Sequence, residues 1–134
     1  NKKTGNNKVK KILIVNAEYY KDINDSLINS SKTNLNKNKI KYHQINVPGV
    51  FEIPVVISKY IKKYDAFLAI GCVIKGETPH FDLITKATFN GLMNISIQCK
   101  KPIGNAIITA LNMSQAKVRC QKKDLKQLMQ LVRF

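Results

Sequence analysis

The residues best suited to chemistry lie in one stretch, Gly71 to Asp82, which reads G-C-V-I-K-G-E-T-P-H-F-D. Thr78 and Pro79 are typical of an N-cap and a first helical position, so the stretch predicts a buried strand, a short loop and a helix start. The first backbone N–H groups of a helix lack partners and lie at the positive end of its dipole, where anions bind. We therefore expect an anion site at residues 76–78, with His80 in the first helical turn beside it.

His80 is the candidate for proton transfer. The positive end of a helix dipole disfavours imidazolium, so a neutral imidazole placed there can accept a proton near neutral pH. The alternative is a structural role, in which His80 caps its helix or bonds to the backbone.

The other histidine and the cysteines are expected to be structural. His43 is interpreted as a surface or edge residue, because nothing chemical accompanies it. Cys72 is expected to fill a strand end as a small apolar side chain rather than to act as a nucleophile. Cys72, Cys99 and Cys120 are odd in number and form no CxxC pair, so a reducing cytoplasm is the simplest location.

Strands and helices alternate along the chain to position these residues. Apolar runs predict strands over Val9–Val15, Ile40–Val47, Ala66–Ile74 and Ile103–Thr109, with the second at an edge and the third at the sheet centre. Such alternation predicts an α/β fold: a three-layer α/β/α sandwich in which helices cover both faces of a four-stranded parallel sheet.

Helical spacing of apolar residues predicts four helices. The expected starting residues are, in chain order, Asp22 or Asn24, Pro54, Pro79, and Asn112 or Ser114. The expected inward-facing residues of the first, second and last helices are Ile23, Leu27, Ser31 and Leu35; Ile53, Val56, Ile57, Tyr60 and Ile61; and Leu125, Leu128, Met129 and Val132. The third helix is expected to end near Gln98, and Gly91 in it suggests close packing against a neighbour.

The bulk composition fits one globular domain. The chain has 134 residues, of which 44% are hydrophobic, and we expect a single domain over residues 9–134 after a flexible arm at residues 1–8. No apolar run approaches the length of a membrane-spanning helix, and no signal peptide pattern precedes the first strand, so no membrane partner is expected.

The formal net charge is +15, from 23 Lys and Arg against 8 Asp and Glu. A basic chain can bind nucleic acid or attract anionic substrates. We interpret the lysines as scattered, not interleaved with aromatic residues and not part of a nucleic-acid-binding module, so no specific nucleic-acid partner is expected. A basic nucleic-acid-binding module is the third hypothesis for function.

In open parallel sheets, ligands bind beyond the carboxyl ends of the strands. Three predicted loops lie at that edge, at residues 16–20, 48–52 and 75–80. They offer an aromatic face from Tyr19 or Tyr20, an apolar wall with a carboxylate, and the anion site. This combination suits a flat polar heterocycle with a hydroxylated tail, plus a phosphate. No GxGxxG, no GxxxxGK[ST] and no metal-ligand spacing is present, so we expect neither a Rossmann dinucleotide site, nor a P-loop NTPase, nor a metal site.

Three segments resemble the lumazine synthase (6,7-dimethyl-8-ribityllumazine synthase) family. Residues 48–54, P-G-V-F-E-I-P, resemble its P-G-A-F-E-I-P motif. Residues 71–82 are similar, almost letter for letter, to its G-[TC]-V-I-[RK]-G-E-T-P-H-F-D motif. Residues 103–109, I-G-N-A-I-I-T, followed by Q-A and Arg119, are similar to a third segment. The resemblance covers about Ile12 to Lys123.

The resemblance implies a flavodoxin-like fold and a transferase of riboflavin biosynthesis. Its implied reaction condenses 5-amino-6-(D-ribitylamino)uracil with 3,4-dihydroxy-2-butanone 4-phosphate, with loss of phosphate and water. The resemblance implies that this reaction uses no metal and no organic cofactor. By position it implies substrate binding by Tyr19, Val50, Phe51, Glu52, Val73, Ile74, Lys75, Asn105 and Lys123, phosphate binding by Gly76, Glu77, Thr78 and Arg119, and catalysis by His80 and Arg119. The family's site lies between subunits of a pentamer or a sixty-subunit shell, so Asn105 and Arg119 would come from the next chain.

The sequence departs from the family pattern in three places. Glu18 stands where the family often has Arg or Asn. Tyr19 stands where Phe or Trp is usual, which keeps the aromatic ring. The family's G-T-K-A-G-N-K-G turn is absent, and the chain reads C-Q-K-K-D over residues 120–124. The second hypothesis is therefore a homologue that binds lumazine or flavin without turnover.

Overall fold

The computed structural model describes residues 9–121. Four strands form one parallel sheet in the order β2-β1-β3-β4. The strands are β1 (Lys11–Ala17), β2 (Lys41–Val47), β3 (Ala66–Ile74) and β4 (Ile103–Ala110). The helices are α1 (Lys21–Lys37), α2 (Ile53–Lys59), α3 (Phe81–Cys99) and α4 (113–121), and a 3-10 turn at Val50–Glu52 precedes α2.

The sheet confirms the predicted α/β fold, and its strand order is that of flavodoxin-like proteins. β3 is buried along its whole length, as expected of a central parallel strand covered on both faces. β2 lies at an edge, as predicted. The predicted strand over Ala66–Ile74 has the observed bounds, and the other strand ends differ from prediction by at most two residues.

Period-two alternation sends neighbouring side chains of each strand to opposite faces. Ile12 and Ile14 belong to a core cluster that includes residues of α1 and α4, whereas Leu13 and Val15 belong to one that includes residues of α2 and α3. The predicted helix faces follow this division. The fully or nearly fully buried helical residues are Ile23, Asn24, Leu27, Ile28, Ser31 and Leu35 on α1, Ile53 and Ile57 on α2, Thr88 and Leu92 on α3, and Ala116 and Cys120 on α4.

Glycines allow close approach at two positions. A Cβ on Gly91 of α3 would lie 3.1 Å from the Cβ of Pro54, which confirms the predicted close packing at Gly91 and identifies α2 as the neighbour. A Cβ on Gly71 of β3 would lie 2.5 Å from Cγ1 of Val50. Val50 therefore packs on the strand backbone itself, which fixes the loop after β2 against the end of β3.

Two predicted helix starts are wrong and two are confirmed. Helix α1 begins at Lys21 without a side-chain cap, and Asn24 is instead buried with its amide donating to the Ala17 carbonyl. Pro54 lies in the first turn of α2, and Oδ1 of Asn112 accepts the Gln115 N–H at 2.8 Å at the start of α4. The start of α3, also wrong, is described with the site.

Several predictions concern residues beyond 9–121. The N-terminal arm, Lys123 and the apolar positions of the last helix lie outside the described residues. Within residues 9–121, no helix is long and apolar enough to cross a membrane. The same range holds no group of three or more His, Cys, Asp and Glu side chains arranged to bind a metal ion.

Candidate active site

The carboxyl ends of β1 and β3, with the loops that follow β1, β2 and β3, enclose an open cavity of about 360 Å³. Its lining residues are Ala17, Tyr19, Tyr20, Gly49, Val50, Phe51, Glu52, Cys72, Val73, Glu77, Thr78, Pro79 and Ile84. The cavity therefore lies where an open parallel sheet is expected to bind its ligand. It joins the three loops that the sequence placed together.

Aromatic rings line the mouth of the cavity. The Tyr19 side chain is 73% exposed and the Phe51 side chain 60% exposed. Tyr19 packs edge-to-face on Tyr20, with ring centroids 4.8 Å apart and an interplanar angle of 89°. This contact orients Tyr19 while leaving its ring accessible to a flat ligand.

Tyr20 joins two of the loops. Its hydroxyl donates a hydrogen bond to Oε1 of Glu77, with an O–O distance of 2.9 Å. Burial, followed by this bond to the Glu77 carboxylate, raises the pKa of Tyr20 to about 12. The phenol therefore stays protonated and donates throughout the neutral range, holding the loop after β1 to the loop after β3.

Glu52 organises the wall after β2. Its Oε1 accepts the backbone N–H of Gly49 at 2.9 Å, which closes the turn that leads into α2. Val50 lies under this turn, buried against β3. The turn thus places the apolar Val50, the exposed ring of Phe51 and the carboxylate of Glu52 side by side within the P-G-V-F-E-I-P segment.

In the loop after β3, two of the three backbone amides of the predicted anion site are already engaged. The N–H groups of Glu77 and Thr78 both donate to the Ile74 carbonyl, at 3.1 and 2.8 Å, because the chain makes a tight turn there before Pro79. They are therefore not free for an anion. Helix α3 begins at Phe81 rather than Pro79, and Thr78 is not its N-cap.

The free amides lie further along the chain. The first hydrogen bond of α3 runs from the Ile84 N–H to the His80 carbonyl at 2.9 Å. The N–H groups of residues 81–83 therefore have no carbonyl within the helix to donate to. The positive end of the dipole consequently lies at residues 80–83. An anion held by this helix would sit beside His80 rather than beside Gly76.

His80 is the N-cap residue of α3 and is exposed. Its backbone is left-handed, with φ 58° and ψ 34°, and its side chain makes no capping hydrogen bond. The alternative in which the imidazole caps the helix is therefore wrong. Histidine tolerates this conformation better than β-branched residues do, and it leaves the ring nitrogens available to a ligand.

Several predicted site residues lie outside the cavity lining. Ile74 is buried in the core on the other face of the sheet, and its carbonyl already accepts two N–H groups. Lys75 is exposed, and its N–H donates to the Ala110 carbonyl at 2.8 Å. Asn105 lies near the start of β4, where Oδ1 accepts the Ile107 N–H at 3.0 Å. Arg119 donates from Nη1 to the Thr109 carbonyl.

Sequence reasoning missed some of the lining. Ala17, Gly49 and Ile84 carry no chemical signal, and only their positions at element ends could have identified them. Cys72 lines the floor, but burial raises the pKa of its thiol to about 12. A neutral, buried thiol is a poor nucleophile, which supports its interpretation as a filler.

The fold and the cavity define an α/β protein of flavodoxin-like topology with an open cavity at the carboxyl ends of its strands. A model of the 6,7-dimethyl-8-ribityllumazine synthase family matches residues 9–130, and the chain belongs to this family. The chain is 37% identical over 122 residues to the 6,7-dimethyl-8-ribityllumazine synthase of Afipia carboxidovorans, covering 86% of this chain and 75% of that one. It is 38% identical over 120 residues to that of Agrobacterium fabrum, covering 84% and 81%.

Proposed function

We propose that this chain is a 6,7-dimethyl-8-ribityllumazine synthase. The reaction condenses 5-amino-6-(D-ribitylamino)uracil with 3,4-dihydroxy-2-butanone 4-phosphate, releasing phosphate and water, and belongs to riboflavin biosynthesis. The observation that carries the proposal is the cavity at the carboxyl edge of β1 and β3, which is lined by the family-like segments at residues 48–54 and 71–82. Holding two substrates in register there supplies much of the rate gain in a condensation.

The uracil ring is proposed to lie between the loops after β1 and β2. The exposed ring of Tyr19 offers a stacking face, and Phe51 closes the opposite side. Val50 and Val73 form the apolar floor. The Glu52 carboxylate, held by the Gly49 N–H, is positioned to accept hydrogen bonds from the ring or the ribityl hydroxyls.

The phosphate is proposed to lie at the start of α3. The amides of residues 81–83 and the helix dipole favour an anion there, and Arg119 adds a bidentate cation that stabilises the departing phosphate. His80, exposed at the same helix end, moves protons during phosphate elimination and ring closure. Thr78, which lines the cavity, and Gly76 shape the turn that leads to this helix.

The site is proposed to be shared between chains of a homo-oligomer, a pentamer or a sixty-subunit shell. Asn105 and Arg119 support this proposal, because both lie on or beside the edge strand β4 and outside the cavity of their own chain. If a neighbouring chain docks along β4, Asn105 and Arg119 of this chain can reach the neighbour's cavity. In the same way, Asn105 and Arg119 of a neighbouring chain can reach the cavity of this chain. Lys123 is proposed to come from the neighbour as well. No cofactor is required, and a cytoplasmic location is proposed.

Product formation tests the activity. The full chain is mixed with both substrates, and lumazine fluorescence is followed beside the uncatalysed condensation. A rate above background supports the enzyme, whereas tight product binding with no rate gain would favour a homologue that binds lumazine without turnover. We expect Arg119→Ala to reduce kcat/KM more than His80→Asn, because water can replace part of the imidazole's proton transfer but not a charge-assisted phosphate contact.

The shared site has its own test. Tyr19→Ala and Arg119→Ala would each inactivate every site of a homo-oligomer. If neighbours share sites, refolding the two variants together generates some cavities with both residues intact. Recovered activity in the mixture supports sharing, and a mixture no more active than the average of its components contradicts it.

A further inference from the structure

The net charge is placed unevenly in the fold. Ten lysines of the described chain lie where the strands begin and helices α1, α2 and α3 end, and we name this surface the basic edge. Its lysines are Lys10, Lys11, Lys37, Lys39, Lys41, Lys59, Lys62, Lys63, Lys100 and Lys101. Within residues 9–121, Asp65 is the only acidic residue at this edge.

The opposite edge, which carries the cavity, is nearly balanced. In the described loops and first two helical turns there, six carboxylates accompany five cations: Glu18, Asp22, Asp25, Glu52, Glu77 and Asp82 against Lys21, Lys75, Lys86, Lys117 and Arg119. A lysine-rich composition alone would place an excess of lysines at both edges of the sheet. The segregation therefore needs its own explanation, and among the described residues the charge excess is not directed at the cavity.

Hydrogen bonds and a cation–π contact join several segments of the basic edge into one surface. Oδ2 of Asp65 accepts the backbone N–H groups of Lys10 and Lys11, at 2.9 and 3.0 Å. The Lys41 N–H donates to the Lys10 carbonyl at 3.1 Å, and Nζ of Lys11 lies 4.9 Å from the centroid of the Tyr64 ring. The carboxylate of Asp65 is thus engaged by the backbone of two residues.

Aromatic rings lie among these lysines. Nζ of Lys59 and Nζ of Lys63 lie 5.7 and 5.6 Å from the centroid of the Tyr60 ring, and Tyr60 contacts Tyr64 with centroids 6.5 Å apart. The interpretation that the lysines are not interleaved with aromatic residues is therefore wrong for residues 59–64, K-Y-I-K-K-Y. Cation–π contacts hold the lysine stems against the rings, which lowers the entropy lost when a partner binds.

We propose that the basic edge binds the phosphodiester backbone of nucleic acid without reading its sequence. Lysines are compact charges that contact phosphates, and they dominate sequence-independent binding. The described basic edge contains no arginine, the residue most often used for bidentate reading of bases. Eight of its ten lysines are exposed.

An anionic membrane fits this surface less well. Peripheral membrane sites combine basic residues with exposed apolar side chains that enter the acyl region. The exposed large apolar side chains of the described chain are Tyr19, Phe51, Val55, Leu83, Met93, Ile97, Leu111 and Val118. Of these, only Ile97, in the last turn of α3, lies at the basic edge, so ten lysines there are accompanied by a single exposed apolar side chain.

The test measures fluorescence anisotropy of a labelled, mixed-sequence single-stranded RNA titrated with the full chain. The edge variant is Lys10→Gln/Lys41→Gln/Lys62→Gln, at three exposed positions of the basic edge. The control variant, Lys21→Gln/Lys86→Gln/Lys117→Gln, removes the same charge elsewhere. Vesicles of phosphatidylcholine with phosphatidylserine replace the RNA in a second arm.

We expect wild type to bind RNA with a slope of log K against log salt of about −4, as for about six phosphate contacts on a single strand. The edge variant should weaken binding about tenfold or more and reduce the slope by about 2, whereas the control variant should keep the wild-type slope. Lumazine formation by the edge variant should be unchanged, which separates this proposal from the enzymatic one. Equal losses in both variants, preference for vesicles, or no binding at about 50 mM salt would each overturn the proposal.

Discussion

The hydrogen bond between Tyr20 and Glu77 leads to a sharp prediction about substrate binding. It joins two of the three loops that enclose the cavity, and it lies next to Tyr19, whose ring it helps to orient through the edge-to-face contact. Tyr20→Phe removes only the hydroxyl and keeps the ring. The loop after β3 then loses its tie to the loop after β1, while both keep their own backbone hydrogen bonds.

The magnitude follows from the chemistry of the bond. A hydrogen bond to an ionised carboxylate contributes about 1.5–3 kcal/mol when buried, and we reduce this to about 1 kcal/mol because Tyr20 is half-exposed. A loss of about 1 kcal/mol corresponds to about fivefold in kcat/KM. The loss should appear in KM, because Tyr20 holds the binding loops and does not act on the reacting atoms.

Steady-state kinetics of lumazine formation check this prediction. Tyr42→Phe is the matched control, since Tyr42 is a half-buried tyrosine on β2 that packs on the core away from the cavity. Glu77→Met alone should resemble Tyr20→Phe, and the double variant should add little further loss. Strict additivity, or a Tyr20→Phe rate equal to that of Tyr42→Phe, would refute the positioning role.

Three further predictions concern stability. Gly71→Ala should lower the free energy of unfolding, measured by chemical denaturation, by about 1–3 kcal/mol, because its Cβ would lie 2.5 Å from a methyl group of Val50. Gly76→Ala is the control and should lower it less, because the nearest atom to its Cβ would be 3.4 Å away. Wild type should lose stability as pH rises from 9 through about 12, because folding raises the pKa of the Cys72 thiol and that of Tyr20. In a pH series of denaturant melts, Cys72→Ala should remove the part of the loss that begins near pH 9 and leave the part due to Tyr20. Lys101→Met should lower the thermal midpoint and reduce the free energy of unfolding by about 1–2 kcal/mol, because Nζ of Lys101 donates to the carbonyls of Ile61 and Tyr64 at 2.6 and 2.8 Å. Lys62→Met, at an exposed position, should leave the midpoint unchanged.

The strands could be predicted because their signal is local. Continuous runs of branched apolar residues, such as Ala66–Ile74, form parallel strands that are buried on both faces, and few other structures accommodate them. The strand–helix alternation then determines the layer order, and the carboxyl edge follows from the topology. The loop residues Tyr19, Phe51 and Glu52 therefore came together as predicted.

The details of the helix starts could not be predicted in the same way. Thr78 and Pro79 have the composition of a helix start, but the turn that closes on the Ile74 carbonyl uses the Thr78 amide first. Helix α3 accordingly begins two residues later, at Phe81, with His80 in a left-handed conformation. Local preference predicted the type of element, whereas the left-handed backbone at His80 that marks its boundary has no signal in the sequence.

Contacts between residues that are distant in sequence could not be predicted either. Tyr20 and Glu77 are 57 residues apart, and no spacing rule joins a tyrosine after one strand to a glutamate after another. The lysines of the basic edge come from several separate segments, so their segregation becomes visible only once the strand order is known. Both features depend on the tertiary fold rather than on any local pattern.

The central claim is that the cavity beside His80 is the site of lumazine formation. A comparison of His80→Asn with His43→Asn tests it most directly, because asparagine suits the left-handed backbone at residue 80 and His43 lies on β2, bonded through Nδ1 to the Tyr64 hydroxyl. We predict that His80→Asn lowers kcat for lumazine formation by about 10- to 100-fold with unchanged stability, while His43→Asn keeps the wild-type kcat. Equal kcat values for the two variants would contradict the assignment.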